Sequence, residues 1–233
     1  MSVQVLDLSI VVVLEQPPSN IANLTTSPAG FFETEEFADL LEPALIYSQG
    51  LVVDPATRSA TVSLQADSMR SRMTVSIAPT RLDVHDRSGE ISNSLSTLPK
   101  LLSKVANKLG VVHIKEVGAN IEIQFTDING EKAAKSIALG VFPEVARAAP
   151  YGLDLIGGTA RLSLVSRDGA TYTVSIEPRY NDPSTKNIWM TCNYSILSTI
   201  MPEPDQLTSM LDGADNVVHH IRRSLFQDDE GSN

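Results

Sequence analysis

The densest group of titratable side chains in the sequence is Asp83-Val84-His85-Asp86. In an extended segment Asp83 and His85 share a face. A His beside a carboxylate can bind a metal or move a proton. The same run abuts the turn Asp86-Arg87-Ser88-Gly89, so it reads first as a polar strand end. Glu122-Ile123-Gln124 adds a second carboxylate. A metal-dependent nuclease core would need a Lys beside it to meet the Mg²⁺, and no Lys stands there. His113 and Glu116 fall on opposite faces of an extended segment and cannot act together. Cys192 is the single cysteine. It lies on the apolar face with Met190 and Tyr194 and reads as a small buried hydrophobe. Near the C-terminus stands His219-His220-Ile221-Arg222-Arg223. Ile221 continues an apolar stripe, so His219, His220, Arg222 and Arg223 spread round the polar side of a helix. There they favour the helix dipole; the alternative is a small basic contact site on an otherwise acidic protein. The sequence has no Gly-rich phosphate loop, G-x-S-x-G elbow, H-E-x-x-H or paired C-x-x-C. No cofactor or metal is expected.

The elements that must position these residues follow from hydrophobic periodicity. Val3 to Glu15 alternates as a strand, with Leu6, Leu8, Ile10, Val12 and Leu14 on one face. A Pro-containing loop follows, then a short helix from Glu33 to Leu41 ended by Pro43. Strands are expected over Ala44–Val53 and Ala60–Ala66, joined at Asp54–Thr57, and over Met73–Ala78 and Arg81–Asp86. The three- and four-residue spacing of Leu98, Leu101, Leu102, Val105, Ala106 and Leu109 predicts a helix from Pro99, stopped by Gly110. Val111 to Thr126 reads as a long strand interrupted at Gly118. Asp127 to Pro150 reads as Ala-rich helix broken at Gly140 and Pro143. From about Gly158, Ala160–Ser166 and Thr171–Glu177 form a hairpin around Asp168-Gly169. Asn187–Leu197 is a third strand, and Pro202–Phe226 a final helix with a stripe from Leu207 to Leu225.

An internal echo organises these elements. Thr74-Val75-Ser76-Ile77-Ala78-Pro79 is matched by Thr173-Val174-Ser175-Ile176-Glu177-Pro178, and Val62-Ser63-Leu64 by Leu162-Ser163-Leu164. One strand-strand-strand-helix unit is thus expected twice. The expected fold is α+β, with antiparallel meanders packed against helices in two similar halves. Residues 1–150 would form the first half, 151–227 the second, and 228–233 an acidic tail.

The chain has 233 residues, 42% hydrophobic, and a net charge of -10. That suffices for a sizeable core. The acidic balance and 5% aromatic content disfavour nucleic acid, which asks for clustered Lys and Arg and stacking rings. One cysteine and no signal-like or membrane-length apolar run point to a cytoplasmic protein.

Three stretches carry a resemblance: the N-terminal strand with Pro17-Pro18 after it, the strand-helix-strand passage from Met73 to Phe125, and the closing run Ala214 to Phe226. Together they resemble a sporadically distributed family of bacterial α+β proteins of unknown activity. The resemblance carries no catalytic residues. Its scattered distribution implies an accessory role such as toxin immunity, antitoxin action or phage defence. The expected function is a non-catalytic module of the bacterial cytosol that binds another protein, or a second copy of itself. The alternative is an enzyme with a site assembled around Asp83, His85 and Asp86.

Overall fold

The computed structural model describes residues 3–18, 20–21, 24, 27–41, 45–53, 60–126, 131–142, 159–182 and 184–226. Along the chain run β1 (Val3–Leu14), α1 (Pro28–Phe32), β2 (Ile46–Val53), β3 (Ala60–Asp67), β4 (Met73–Ala78) and β5 (Arg81–Asp86). Then come α2 (Ile91–Leu109), β6 (Ile114–Thr126), α3 (Ala133–Val141), β7 (Ala160–Val165), β8 (Thr171–Pro178), β9 (Asn187–Leu197) and α4 (Pro204–Phe226). The expected turn at 54–57, the breaks at Pro43 and Pro143, the start at Gly158 and the tail 228–233 lie outside the described residues.

The fold is α+β, built on one antiparallel sheet of nine strands in the order β2-β3-β4-β5-β1-β6-β9-β8-β7. The contacts divide into two compact units. One comprises Asp7–Asn120 and Ser195–Asp212, the other Met1–Leu6, Ile121–Tyr194 and Gly213–Asn233.

In the first unit β2 to β5 form an antiparallel meander, and β5 pairs with β1, placing His85 opposite Ser9 and Asp83 opposite Val11. Alternation decides which face is sealed. Leu64, Val75, Ile77, Leu82, Val84, Leu8, Ile10 and Val12 are buried, while their odd-phase neighbours are polar or half-buried. Helix α2 lies against β5 and contributes Leu98, Leu101, Leu102, Val105 and Leu109 to the same core. It begins at Ile91, not at Pro99 as the periodicity suggested. Proline inside a helix leaves the carbonyl four residues earlier without its donor. Here Leu95 O accepts from the Thr208 hydroxyl at 3.3 Å, so the helix passes through Pro99.

The helix expected over Glu33–Leu41 is also displaced. Helix α1 ends at Phe32, and turns follow, closed by Phe37 N–H to Thr34 O (3.0 Å) and Leu41 N–H to Phe37 O (2.8 Å). Pro28 starts α1 because its missing N–H costs nothing in a first turn. Lys108 fixes this segment. Its ammonium donates to Phe31 O at 2.6 Å and lies about 5 Å from the Phe31 and Phe37 rings.

In the second unit the hairpin β7–β8 forms as expected. Ser166 N–H bonds Ala170 O at 2.9 Å, and Gly169 takes a φ of 86°. Ile121, Ile123, Phe125, Val174, Ile176, Ile188, Met190 and Cys192 are buried on one face. Helix α3 lies against β8, and the C-terminal half of α4 packs Phe226 edge-to-face on Phe125 at 5.2 Å. Gly140 does not break α3. A Cβ there would sit 2.7 Å from Leu225 O, so glycine permits the close approach of two helices. Gly118 likewise lies inside an unbroken β6.

The stripe on α4 is buried at Leu207, Met210, Leu211, Ala214 and Val218. It then passes to Arg222 and Phe226 rather than to Ile221 and Leu225, which are half-buried. Steps of four residues from Ala214 keep one line along the helix. Among the described residues no helix is long and apolar enough to cross a membrane.

Both hexapeptides of the sequence echo sit in phase. Val75 and Ile77 of β4 are buried, as are Val174 and Ile176 of β8. Each strand has a meander neighbour on either side, and each meander leads into a helix.

Candidate functional site

The β5 cluster divides between the two faces of its strand. Asp86 faces the core and is 1% exposed. Its carboxylate accepts from Ser88 N–H and from the Ser94 hydroxyl, both at 2.7 Å. It thereby ties the end of β5 to the first turn of α2, a capping task. Asp83 and His85 share the opposite face, where both are half-buried. Arg81 Nε lies 2.7 Å from Asp83. His85 Nδ1 lies 3.0 Å from Asp7 Oδ2, and Arg87 Nε lies 3.9 Å from the same oxygen.

A carboxylate on Nδ1 is how a catalytic His is oriented. The rest of such a site is not built. Among the described residues no hydroxyl or thiol is bonded to His85. Of the two hydroxyls directly across from His85, that of Thr74 donates to Asp67 at 2.7 Å and that of Ser9 accepts from the Asn120 amide at 3.1 Å. Strand β5 is laddered on both sides, to β4 and β1, so its backbone N–H groups offer no oxyanion hole. No group of three or more His, Cys, Asp or Glu is arranged to hold a metal among the described residues. Asp83 also edges a shallow depression of about 220 Å³ over Gly50, Ser63 and Ser76. Its charge there is already held by Arg81.

The basic group on α4 also divides. His220 and Arg223 are exposed. His219 Nε2 lies 3.3 Å from Asp215, one turn earlier. Arg222 points inward, only 8% exposed, with its guanidinium 5.9 Å from the Phe125 ring centroid. Its aliphatic stem fills core volume. The four residues therefore do not present one patch. Cys192 is buried, and burial pushes its thiol up to about 12. It is a protonated, unreactive hydrophobe at neutral pH. Tyr172 and Tyr194 stack edge-to-face at 5.0 Å near it, and burial raises both phenols above their ordinary value.

A further site lies in the second unit, on the face of its strands opposite α3 and α4. Leu6 of β1, Glu122 of β6, Glu177 of β8 and Trp189 of β9 line a depression of about 230 Å³, closed at one end by Arg179 and Tyr180. Trp189 is the only tryptophan in the chain. It occupies the phase opposite Ile188, Met190 and Cys192, so a large ring stands among Thr191, Asn193, Thr173 and Ser175.

Just after β8 a short 3-10 turn carries Tyr180, with φ 58° and ψ 23°, a left-handed backbone that costs a non-glycine residue about 1–2 kcal/mol. Arg179 bonds the Gln124 side-chain oxygen and the Tyr180 hydroxyl, and stacks 4.6 Å from the Tyr180 ring centroid. The loop beyond is braced as well. Asp182 accepts from Ser184 N–H at 2.9 Å and from its hydroxyl at 2.7 Å. These bonds hold its carboxyl below the ordinary value. Thr185 O takes Ala133 N–H at 2.8 Å, anchoring the loop to α3.

The sequence held one signal for this site: a lone tryptophan out of phase with the apolar face of its strand. The meeting of Glu122, Glu177 and Leu6 had none, because it depends on sheet order. Compared with known proteins, the chain matches no family model, and no curated protein sequence matches it significantly.

Proposed function

We propose that this chain is a non-catalytic protein-binding module that meets its partner with a strand face opposite its helices. The observation that carries the reading is the second unit's face of β6, β9 and β8. Helices α3 and α4 occupy the other side. This side presents Ser, Thr, Asn and Gln around Trp189 and a shaped depression. Interface centres are enriched in Trp and Tyr and ringed by polar groups that release water readily. At about 230 Å³ the depression is smaller than the clefts that enclose a metabolite. It suits a single side chain.

A role in the bacterial cytosol as an antitoxin, immunity or defence-accessory protein fits such a module, with another protein or a second copy of this chain as partner. The matched order β3-β4-β5-α2 and β7-β8-β9-α4 favours descent of the two passages from one duplicated unit. The rival is an enzyme using Asp83 and His85, and it draws on the Asp7–His85 bond.

A photo-crosslinking residue at Thr191 or Thr173 tests the reading in the native host. Capture of one defined protein, lost when Trp189→Ala is added, is expected. No adduct from either position, or adducts indifferent to Trp189, would remove the reading. The enzyme rival would gain if Asp7→Asn with His85→Gln abolished cellular activity at unchanged stability.

A further inference from the structure

We infer that the Trp189 depression is a receptor for a single arginine side chain on a basic protein partner. The inference deepens the protein-binding reading and rests on it for the partner, but not for the chemistry of the pocket. Three features of the lining select the ligand.

Trp189 supplies the side chain whose ring face attracts cations best. Glu177 lies on the neighbouring strand β8, and Glu122 on β6 at the other side. Glu177 makes no side-chain hydrogen bond or ion pair among the described residues, so its carboxylate is available to a forked donor. Leu6 provides an apolar wall for a methylene stem.

Among the described residues Arg179 is the one cation in the lining, and its presence raises the opposite possibility of an anion site. Two of its five N–H donors are given to Gln124 and Tyr180, and its guanidinium lies over the Tyr180 ring. Among the described residues the lining holds two carboxylates and one guanidinium. The chain as a whole carries -10. An incoming anion would meet the carboxylates of Glu122 and Glu177. An incoming cation meets a ring face and a free carboxylate.

Arginine fits better than lysine. A planar guanidinium can lie on the indole while its edge makes two parallel bonds to a carboxylate, which an ammonium cannot do. In the same lining the Arg179 guanidinium already lies over the Tyr180 ring, 4.6 Å from its centroid.

The single tryptophan makes the test direct, because one indole N–H resonance reports on one place. The purified full-length chain is titrated with acetyl-Gly-Arg-Gly-amide, and with the lysine, norleucine and glutamate versions of that peptide. The arginine peptide is expected to shift the Trp189 indole resonance saturably at millimolar concentration, and salt should weaken the effect. Norleucine and glutamate peptides should leave it unmoved, and lysine should bind several-fold more weakly than arginine. Glu177→Gln should weaken the arginine peptide at least about fivefold, the scale of one charge-assisted bond. Thr191→Ala, on the same face but outside the lining, should not.

An indole shift with the glutamate peptide, equal or tighter binding of lysine, or an unchanged affinity in Glu177→Gln at intact fold would each overturn the inference. The two ideas fail separately. A saturable arginine shift with no crosslinked partner leaves the pocket and removes the protein-binding reading. A captured partner with no arginine shift does the reverse.

Discussion

Around β5 the charged side chains of the face opposite the core are bonded to one another. Arg81 holds Asp83, His85 and Arg87 converge on Asp7, and Gln65 and Thr74 both donate to Asp67. Around β9 the same kind of face carries Trp189, a Glu177 without a side-chain partner among the described residues, and a Tyr180 that is 82% exposed. Both patches are strand faces of alternating small polar residues. The difference shows where binding capacity survives. Titratable residues that crowd together in sequence tend to neutralise each other once the strands pair. A carboxylate left beside an aromatic ring keeps its capacity for a ligand. The β5 patch should therefore read out as stability, and the β9 patch as binding.

The largest effect belongs to the layer beneath, which must be rigid for either patch to hold its shape. Leu211 is fully buried on α4. Leu211→Ala should cost about 2–5 kcal/mol through lost transfer energy and the cavity left behind. On the same helix Arg223→Ala should cost no more than about 0.5 kcal/mol, as an exposed change does. Urea unfolding compares the two. A stable Leu211→Ala with altered oligomeric mass would mean that α4 packs on a second copy instead.

Next comes Asp86, the member of the β5 cluster that faces inward. Asp86→Ala removes the acceptor of the part-buried Ser88 N–H and one of the two acceptors of the buried Ser94 hydroxyl, which also reaches Glu90 O at 3.0 Å. The expected loss is about 1–3 kcal/mol. A negligible loss in thermal or urea unfolding would show that the junction of β5 and α2 does not depend on this cap.

Cys192 gives a pH-dependent check on the sealed side of β9. Its folded value, about 12, stands above the ordinary 9.0, so folding favours the protonated thiol. That contribution is fully present below pH 9.0 and is lost as pH rises toward 12. Cys192→Ala should flatten the decline of stability in that window relative to the unaltered chain. At neutral pH a thiol reagent should label the native chain at least about a hundredfold more slowly than the unfolded one. Rapid native labelling would mean that β9 is open to water on both faces.

These contrasts were partly legible beforehand. The strict alternation of Arg81 to Asp86 placed Asp83 and His85 on one face, and the run Ile188 to Tyr194 placed Cys192 inside. Asp7, which holds the His85 ring, lies 78 residues away on β1, the strand paired with β5. Pattern within one segment does not contain that pairing. Helix limits failed for a similar reason. Pro99 looked like a start because its missing donor was unaccounted for, and the compensating hydroxyl comes from Thr208, 113 residues from Leu95. Arg222 was assigned to a polar side because charge normally marks one. The Phe125 ring beneath it belongs to another strand.

On the outer side of β5 a smaller effect is expected. Asp83→Asn with His85→Gln removes part-buried ion pairs but leaves hydrogen-bonding side chains in their place, so the expected loss is about 1 kcal/mol together. Arginine-peptide binding at Trp189 should be unchanged. A larger loss of stability would show that the β5 face is more tightly built than its exposure suggests. A loss of cellular function at full stability would reverse the comparison and make this patch the working one.

The smallest effect on stability, and the sharpest separation of the two readouts, is expected at Tyr180. Its left-handed backbone is strained for a tyrosine and natural for glycine. Tyr180→Gly relieves that strain but frees the unfolded chain, and the two terms of about 1 kcal/mol each oppose one another. Stability should move by less than about 1 kcal/mol. Binding should not be spared in the same way. The tyrosine ring is the surface on which Arg179 stacks, and its hydroxyl takes one of that guanidinium's donors. Without it Arg179 is released to compete for Glu177, and an incoming arginine meets a blocked carboxylate. Arginine-peptide affinity should therefore fall several-fold in Tyr180→Gly and return when Arg179→Gln is added. If the single variant binds as well as the original chain, Arg179 was never held back by Tyr180, and the charge argument for a cation in this depression loses its support.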